Sequence, residues 1–558
     1  MRLRWATMLV VLLSPSWLFA QDDKELAPVT RTYAITNATI IQGPGRKIDM
    51  GTVVMKNGLI TAVGKGVSIP PEAIVIKGDS MYVYAGFIDG LTRAGVTKSK
   101  EESKEKIKDP GNPPPDRAGI NSQNDVRNFL NPSDKGLEEI RNLGFTAAQV
   151  VPYGNLFPGQ AAIVLTAAAS ADGMVILSKS AMYSELTGAN NIYPATILGV
   201  MAKWREVYRQ AMSAKTYEGL YASNRAGLER PAMDRNLEAF YPVIDQRMAV
   251  LFKAEKLVDA SRILTLKSEL GFSVVIADLK EGWPMISKIK SSNAKVFLSL
   301  DLPEEPKKEE KKDAKKEEPK AKTSAQLEKD ALDKRRVEAI ANYTAQAANY
   351  QKAGVVFGFS SISAKSKDII ANLRRMIAAG LSEDAALSAL TTSPAQLLGL
   401  SDRMGTVDNG KMANLVISDK PYFNEKAKVR YVFVDGVMHK MEVKDVKKSD
   451  AGAKAEIEGV WSIVTQTPQG NSESKLTFKK DGSGYSGTVS GVMLPSPVDL
   501  KDVSLDGNTL SFSYSLNIGG SSVKIDVEVN VDGDTLSGTS TAGQYGSFQT
   551  DGTKNPKN

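Results

Sequence analysis

The sequence predicts an α/β fold, a mostly parallel sheet covered by helices, followed by a separate all-β unit. Two observations predict it. Between residues 86 and 400, short apolar runs alternate with helical stretches, as at 145–151, 249–252, 273–276, 296–300 and 355–359. That alternation implies repeated βα units, closed as a barrel or left as an open sheet. Beyond residue 455 the pattern changes to strict alternation, with Leu510, Phe512, Tyr514 and Leu516 in one run and Val523, Ile525, Val527 and Val529 in the next. Alternation with a period of two marks half-buried antiparallel strands.

A chain of 558 residues exceeds one ordinary core and predicts two or three domains. Its 42% hydrophobic and 24% charged residues are those of globular protein, and the net charge of +7 is spread among interleaved acids. No nucleic-acid surface follows from such a pattern. Arg2 and Arg4, the apolar run 8–13 and the small residue Ala20 read as a signal peptide over 1–20, cleaved after Ala20. The run is too short to anchor a membrane, and no other integral segment is visible. The absence of cysteine excludes disulfides, thiolate metal sites and a lipidated N-terminal cysteine. An exported protein, periplasmic or secreted, is the expectation.

Along the chain, residues 32–84 form a meander of short strands broken by turns such as Gly43-Pro44-Gly45 and Lys56-Asn57-Gly58. The following 86–403 suit a barrel with insertions. Two charged segments interrupt them, 98–117 and 304–322, the second with eight lysines and seven acids in nineteen residues. Balanced charge without aromatics predicts a solvated helix or loop there, above the active-site face of a barrel. Strands return over 405–441, residues 444–454 are a polar linker, and 455–556 make a small antiparallel barrel or sandwich with turns at Asp481-Gly482, Asp506-Gly507 and Asp532-Gly533. This last unit resembles a lipocalin-type barrel.

Three blocks carry a wider resemblance. Ala85-Gly86-Phe87-Ile88-Asp89 resembles the end of the first barrel strand in amidohydrolases related to imidazolonepropionase and dihydroorotase. Gly380-Leu381-Ser382-Glu383-Asp384-Ala385, with Thr391-Thr392-Ser393-Pro394-Ala395, is similar to their last helix, and Gly405-Thr406-Val407-Asp408-Asn409-Gly410 to the strand that returns to their small β domain. The resemblance implies a (β/α)8 TIM-type barrel over 86–403 and a composite β-sandwich built from 32–85 with 404–443. It also implies hydrolysis of C–N bonds by water held on one or two divalent metals such as zinc, which lower its pKa and polarise the carbonyl.

The residues depart from that pattern where the metal would sit. The family's Asp-x-His-x-His is Asp89-Gly90-Leu91-Thr92-Arg93 here, so Leu91 and Arg93 take the imidazole positions. A Pro-Val strand pair ending in His-Ala corresponds to Tyr241-Pro242-Val243-Ile244 and then 250–254, with Lys253 in the histidine's place. The next imidazole strand corresponds to Ile276-Ala277-Asp278, and the last-strand aspartate falls near Ser361. The chain has one histidine, His439, in a strand of the small β domain. No imidazole site can be built from it, so no metal cofactor is expected. An all-carboxylate site from Asp89, Asp278, Glu281 and Asp301 is the alternative, and would suit magnesium or calcium. Inward carboxylates without a metal are costly unless paired. Arg93 and Lys253 would supply the charge, with Arg93 expected against Asp278 or Asp301.

Three functions follow as expectations. The first is a pseudoenzyme whose barrel binds a small-molecule ligand or a partner, as a homo- or hetero-oligomer, for instance with an intact amidohydrolase. The second is an active hydrolase of non-peptide C–N bonds using a carboxylate and Lys253 as base. The third is a cell-envelope module in which 455–556 carries recognition.

Overall fold

The computed structural model describes residues 32–98, 107–305, 323–441 and 456–554, apart from 468–469, 483, 492–493, 495, 519–520 and 543–545. The expected signal peptide, the linker and most of the segment 304–322 lie outside them. The chain divides into two compact units, 1–442 and 443–558. Among the described residues no helix is long and apolar enough to cross a membrane.

In the first unit the chain opens with strands β1 (Thr32–Gly43), β2 (Arg46–Lys56), β3 (Leu59–Gly64), β4 (Ile74–Lys77) and β5 (Tyr82–Ala85). Eight barrel strands follow: β6 (Phe87–Thr92), β7 (Phe145–Val150), β8 (Gly159–Leu165), β9 (Val175–Glu185), β10 (Ala249–Lys253), β11 (Val274–Leu279), β12 (Lys295–Ser299) and β13 (Phe357–Ser360). The chain then returns through β14 (Leu415–Ser418), β15 (Val429–Val434) and β16 (Val437–Lys440). Strands from both flanks join in one sheet of order β16-β15-β14-β5-β1-β2-β3, with β4 beside β1. Its inner face buries Ile35, Ile40, Val53, Leu415, Ile417 and Phe433. This sheet is built from both ends of the unit.

The barrel sheet runs β6 to β13 in chain order. Ile362 N–H donates to Leu91 O at 3.1 Å, and Ser360 Oγ to the same carbonyl at 3.0 Å, so the last strand meets the first. Strands β6, β7 and β10 to β13 are buried almost throughout, as expected of strands covered on both faces. One strand departs from the expected repeat. β8 pairs antiparallel with both β7 and β9, so a hairpin at 151–158 replaces a crossover helix on that side. The 3-10 turn Val126–Phe129 packs there instead, with Asp125 bridged to Gln160. Another departure is Tyr241–Ile244, which is a one-turn helix with proline in its first turn, where proline costs no hydrogen bond.

Outside β10 the helix Ile197–Ser223 inserts Trp204, whose ring lies within 6.3 Å of Phe157, Tyr208, Phe240, Phe252 and Phe272. Its indole N–H donates to Ser184 Oγ at 3.0 Å, and Ser184 Oγ in turn to Leu156 O at 2.7 Å. That chain ties the hairpin to the end of β9 and fixes where the next residue, Glu185, is presented.

The second unit is an antiparallel meander: β17 (Gly459–Thr467), β18 (Gly470–Asp481), β19 (Gly484–Gly491), β20 (Val498–Asp499), β21 (Lys501–Asp506), β22 (Thr509–Ile518), β23 (Ser521–Asp532), β24 (Thr535–Thr541) and β25 (Ser547–Lys554). β17 pairs with β25, and Leu500 N, between β20 and β21, reaches Gly487 O on β19 at 2.8 Å, which closes a barrel. Its interior is filled by Trp461, Phe478, Phe512 and branched aliphatics.

Candidate functional site

The C-terminal ends of the parallel strands carry the residues singled out in the sequence. Register decides which of them face one another. Ala249, Leu251 and Lys253 on β10 lie beside Ala181, Tyr183 and Glu185 on β9, and Lys253 lies beside Ala277 on β11. Alternate positions share a face, so two apolar layers are capped by the polar pair Glu185 and Lys253. The apolar interior comprises Leu91, Val151, Tyr183, Leu251, Val275 and Phe297. Phe297 sits in the space left by two glycines: a Cβ on Gly90 would fall 2.0 Å from its ring, and one on Gly358 2.6 Å.

Three of the positions where the resemblance expects imidazoles, Leu91, Arg93 and Lys253, have different fates. Leu91 is fully buried in the apolar interior. Arg93 Nη2 meets Glu185 Oε1 at 2.5 Å, and Tyr183 OH donates to the same oxygen at 2.6 Å. The guanidinium also lies 4.7 Å from the centre of the Tyr153 ring, a cation–π distance. Arg93 therefore pairs with Glu185, and not with Asp278 or Asp301 as expected. Asp301 instead accepts from Lys280 Nζ at 2.7 Å.

Lys253 Nζ donates to Glu255 Oε1 at 2.7 Å and stands 4.0 Å from Asp278 Oδ2. Lys280 Nζ meets the other Glu255 oxygen at 3.0 Å. Burial works against ionisation of Glu255, but hydrogen bonds and charge from Lys253 and Lys280 outweigh it and hold the carboxyl at about 2. Ser363 Oγ donates to Asp278 Oδ2 at 2.5 Å and lies 3.3 Å from Glu255 Oε1.

Asp278 has a left-handed backbone, φ 63°, at an irregularity in the β11–β12 register, a conformation aspartate tolerates better than most residues. It is fully buried, and its Oδ1 accepts no hydrogen bond. Burial raises its pKa to about 6, against the lowering pull of Ser299, Ser363, Lys253 and Lys280. Asp89, also fully buried, accepts from Leu91 N and Ser361 N, each at 3.1 Å, and from the Ser361 hydroxyl. Burial lifts it to about 7. Ser361, where the family's last aspartate would stand, thus serves as a donor to Asp89.

The four carboxylates proposed as an alternative metal site do not converge. Asp89 is held by Ser361, Asp278 by Ser363, Asp301 by Lys280, and Glu281 by the Tyr343 hydroxyl. Among the described residues no three acidic or imidazole groups are placed to hold a metal ion. The divalent metal implied by the fold family does not fit this donor set, because the mouth carboxylates already accept from resident ammonium, guanidinium and hydroxyl groups. His439, on β16, is far down in pKa, to about 4, through burial and the nearby Arg141. Glu185, Glu255, Lys280 and Ser363 were not singled out in the sequence. Beside this network lies an open cleft of about 270 Å3, lined by Thr92, Arg93, Glu139, Tyr153, Ser361 and Ile362 among others.

Residues 282–439 match the model of the amidohydrolase family. An amidohydrolase from Thermotoga maritima MSB8 superposes with a TM-score of 0.58 at 19% identity, over 73% of this chain and 100% of that one. A prolidase complexed with N-methylphosphonate-L-proline aligns at 16% identity over 73% and 99%, TM-score 0.41. An adenosine deaminase from Xanthomonas campestris with bound zinc aligns at 14% identity over 73% and 92%, TM-score 0.40. No curated protein sequence matches the chain.

Proposed function

We propose that this amidohydrolase-family protein binds a small polar ligand at its barrel mouth and does not hydrolyse it on a metal. The observation that supports this reading is the fate of the ligand positions: Leu91 is part of the apolar interior, while Arg93 and Lys253 are ion-paired to Glu185 and Glu255. The cleft beside Arg93 and Tyr153 is the ligand's place. It combines hydroxyls from Thr92 and Ser361 with an aromatic face, an Arg93 guanidinium paired with Glu185, and the carboxylates of Asp134 and Glu139, which accept from the Gly95 and Gly136 amides and from Ser366. Such a mixed lining favours a small polar ligand with several hydrogen-bonding groups. The basic and apolar N-terminal run supports export to the periplasm or beyond.

The test uses the full chain. After incubation with zinc chloride and desalting, it should retain far less than stoichiometric zinc, and it should turn over no member of a panel of N-acyl amino acids, cyclic imides and dipeptides. Hydrolysis that disappears in Asp278→Asn would sink the proposal and leave the carboxylate–lysine hydrolase standing. Compounds from a polar library that raise the wild-type Tm should bind at least about tenfold more weakly to Ile362→Trp, which fills the cleft. Unchanged affinity in that variant would place the ligand elsewhere.

A further inference from the structure

We infer that the cleft beside Arg93 selects a small organic primary amine, whose ammonium is taken by the carboxylates of Asp134 and Glu139 and whose apolar body rests on the aliphatic part of the lining. The inference rests on the reading of that cleft as a ligand site and names the ligand's class.

Charge points to a cation. The lining carries one guanidinium and two carboxylates. Arg93 is neutralised by Glu185 at 2.5 Å. Asp134 accepts from the amides of Gly95 and Gly136 at 3.2 and 2.8 Å, and Glu139 from the Ser366 hydroxyl at 2.7 Å. Among the described residues neither carboxylate meets a basic side chain. Lys365 and Lys367, which flank Ser366 in the sequence, are not part of the lining. The cleft therefore has negative charge without a counter-charge of its own.

Both carboxylates are held in place. Asp134 is the N-cap of the helix Lys135–Asn142, and Glu139, on that helix, is tied to Ser366 on the segment after β13. Acceptors fixed beforehand lose little freedom on meeting a ligand. The hydroxyls add to them. Ser361 gives its proton to Asp89 and Ser366 gives its own to Glu139, so both present lone pairs. An ammonium offers three donors and no acceptor, which matches such a lining. A carboxylate ligand would meet like charge, and an amide would bring no charge at all. Val96, Ile140 and Ile369 are buried and form the aliphatic part. The volume of about 270 Å3 suits a short alkyl or aryl body.

The experiment is a ligand-observed NMR titration of the full chain at pH 8, where Asp89 has lost its proton. The probes are butylamine hydrochloride, butyramide and sodium butyrate, equal in size and different in head group. Butylammonium should bind at least about fivefold more tightly than butyramide, and butyrate more weakly than either. Added salt should weaken the amine alone. In Glu139→Gln and Asp134→Asn the amide oxygens keep the acceptor roles, and asparagine still caps the helix. Each variant should weaken butylammonium by about three- to tenfold and leave butyramide within about twofold. Glu138→Gln removes the same charge from an exposed position outside the lining and should change neither. Equal affinity for amine and amide, or a Glu138→Gln effect as large as that of Glu139→Gln, would overturn the amine class, while loss of binding in Ile362→Trp would still support the cleft. Amine binding that persists in Ile362→Trp would overturn both. A wild type that binds no butylammonium up to about 0.1 M would overturn the inference and leave the polar library to decide on the cleft.

Discussion

Phe297→Ala will destabilise the first unit by about 3–5 kcal/mol, read as a shift of its urea transition with that of the second unit unchanged. The ring is fully buried on β12 at the centre of the barrel. Its neighbours cannot close the gap easily. Gly90 on β6 and Gly358 on β13 have no side chain to offer, and a closed barrel resists moving its strands together. The loss therefore combines transfer of a phenyl group with a cavity that persists, each cubic ångström costing about 24 cal/mol. The converse change, Gly90→Ala, drives a methyl into the same ring and should also destabilise, but far less when Phe297 is already alanine. That coupling is measurable in a double-mutant cycle. A loss below about 1 kcal/mol for Phe297→Ala would show that the interior can collapse and that Phe297 is not its plug.

The second large effect is on pH. Asp89 stands at about 7 and Asp278 at about 6, both raised mainly by burial. A carboxyl raised in the folded state binds its proton more tightly there than in the unfolded chain. Its contribution to stability is full below the unfolded pKa near 4 and is lost as pH rises through the folded value. The gap between 3.8 and about 7 for Asp89 corresponds to on the order of 4 kcal/mol. Glu255 acts oppositely. Held at about 2, it stabilises above its unfolded pKa and loses that support as pH falls toward 2. The first unit should therefore be most stable near about pH 5 and lose roughly 3 kcal/mol or more by pH 8. In Asp89→Asn the amide oxygen can still accept from Leu91 N and Ser361 N, and no proton need be released. That variant should flatten the slope between pH 5 and 8 and be the more stable protein at pH 8. An unaltered slope in both Asp89→Asn and Asp278→Asn would show that neither carboxyl carries it.

Much of the barrel was legible because its strands are continuous apolar runs, and such runs are readable without knowing their partners. The direction of β8 was not. Gly159–Leu165 reads as a buried strand either way, and only its pairing with β7 and β9 sets its orientation. The failed histidine pattern at Leu91, Arg93 and Lys253 was legible from composition. The partners were harder. Glu185 ends β9, a strand only partly apolar, Val-Ile-Leu-Ser-Lys-Ser-Ala-Met-Tyr-Ser-Glu, and its alternating Ala181, Tyr183 and Glu185 were the one available signal. Without that strand Arg93 could only be assigned to acids further along the chain. Glu255 stands two residues beyond Lys253, the spacing that places two side chains on one side of an extended backbone, but β10 ends between them.

The pairing of β17 with β25 has a consequence for how the second unit can recognise anything. Among the described residues β17, β18, β19 and β22 to β25 each have a hydrogen-bonded neighbour on both sides, while β20 joins β19 through two residue pairs and β21 pairs with β22. A ladder so largely paired offers only a short stretch, around β19 to β21, where a strand from another chain could add. Recognition by the rest of this unit would pass through side chains on its outer face or through its turns, where substitutions can alter binding without disturbing the backbone ladder.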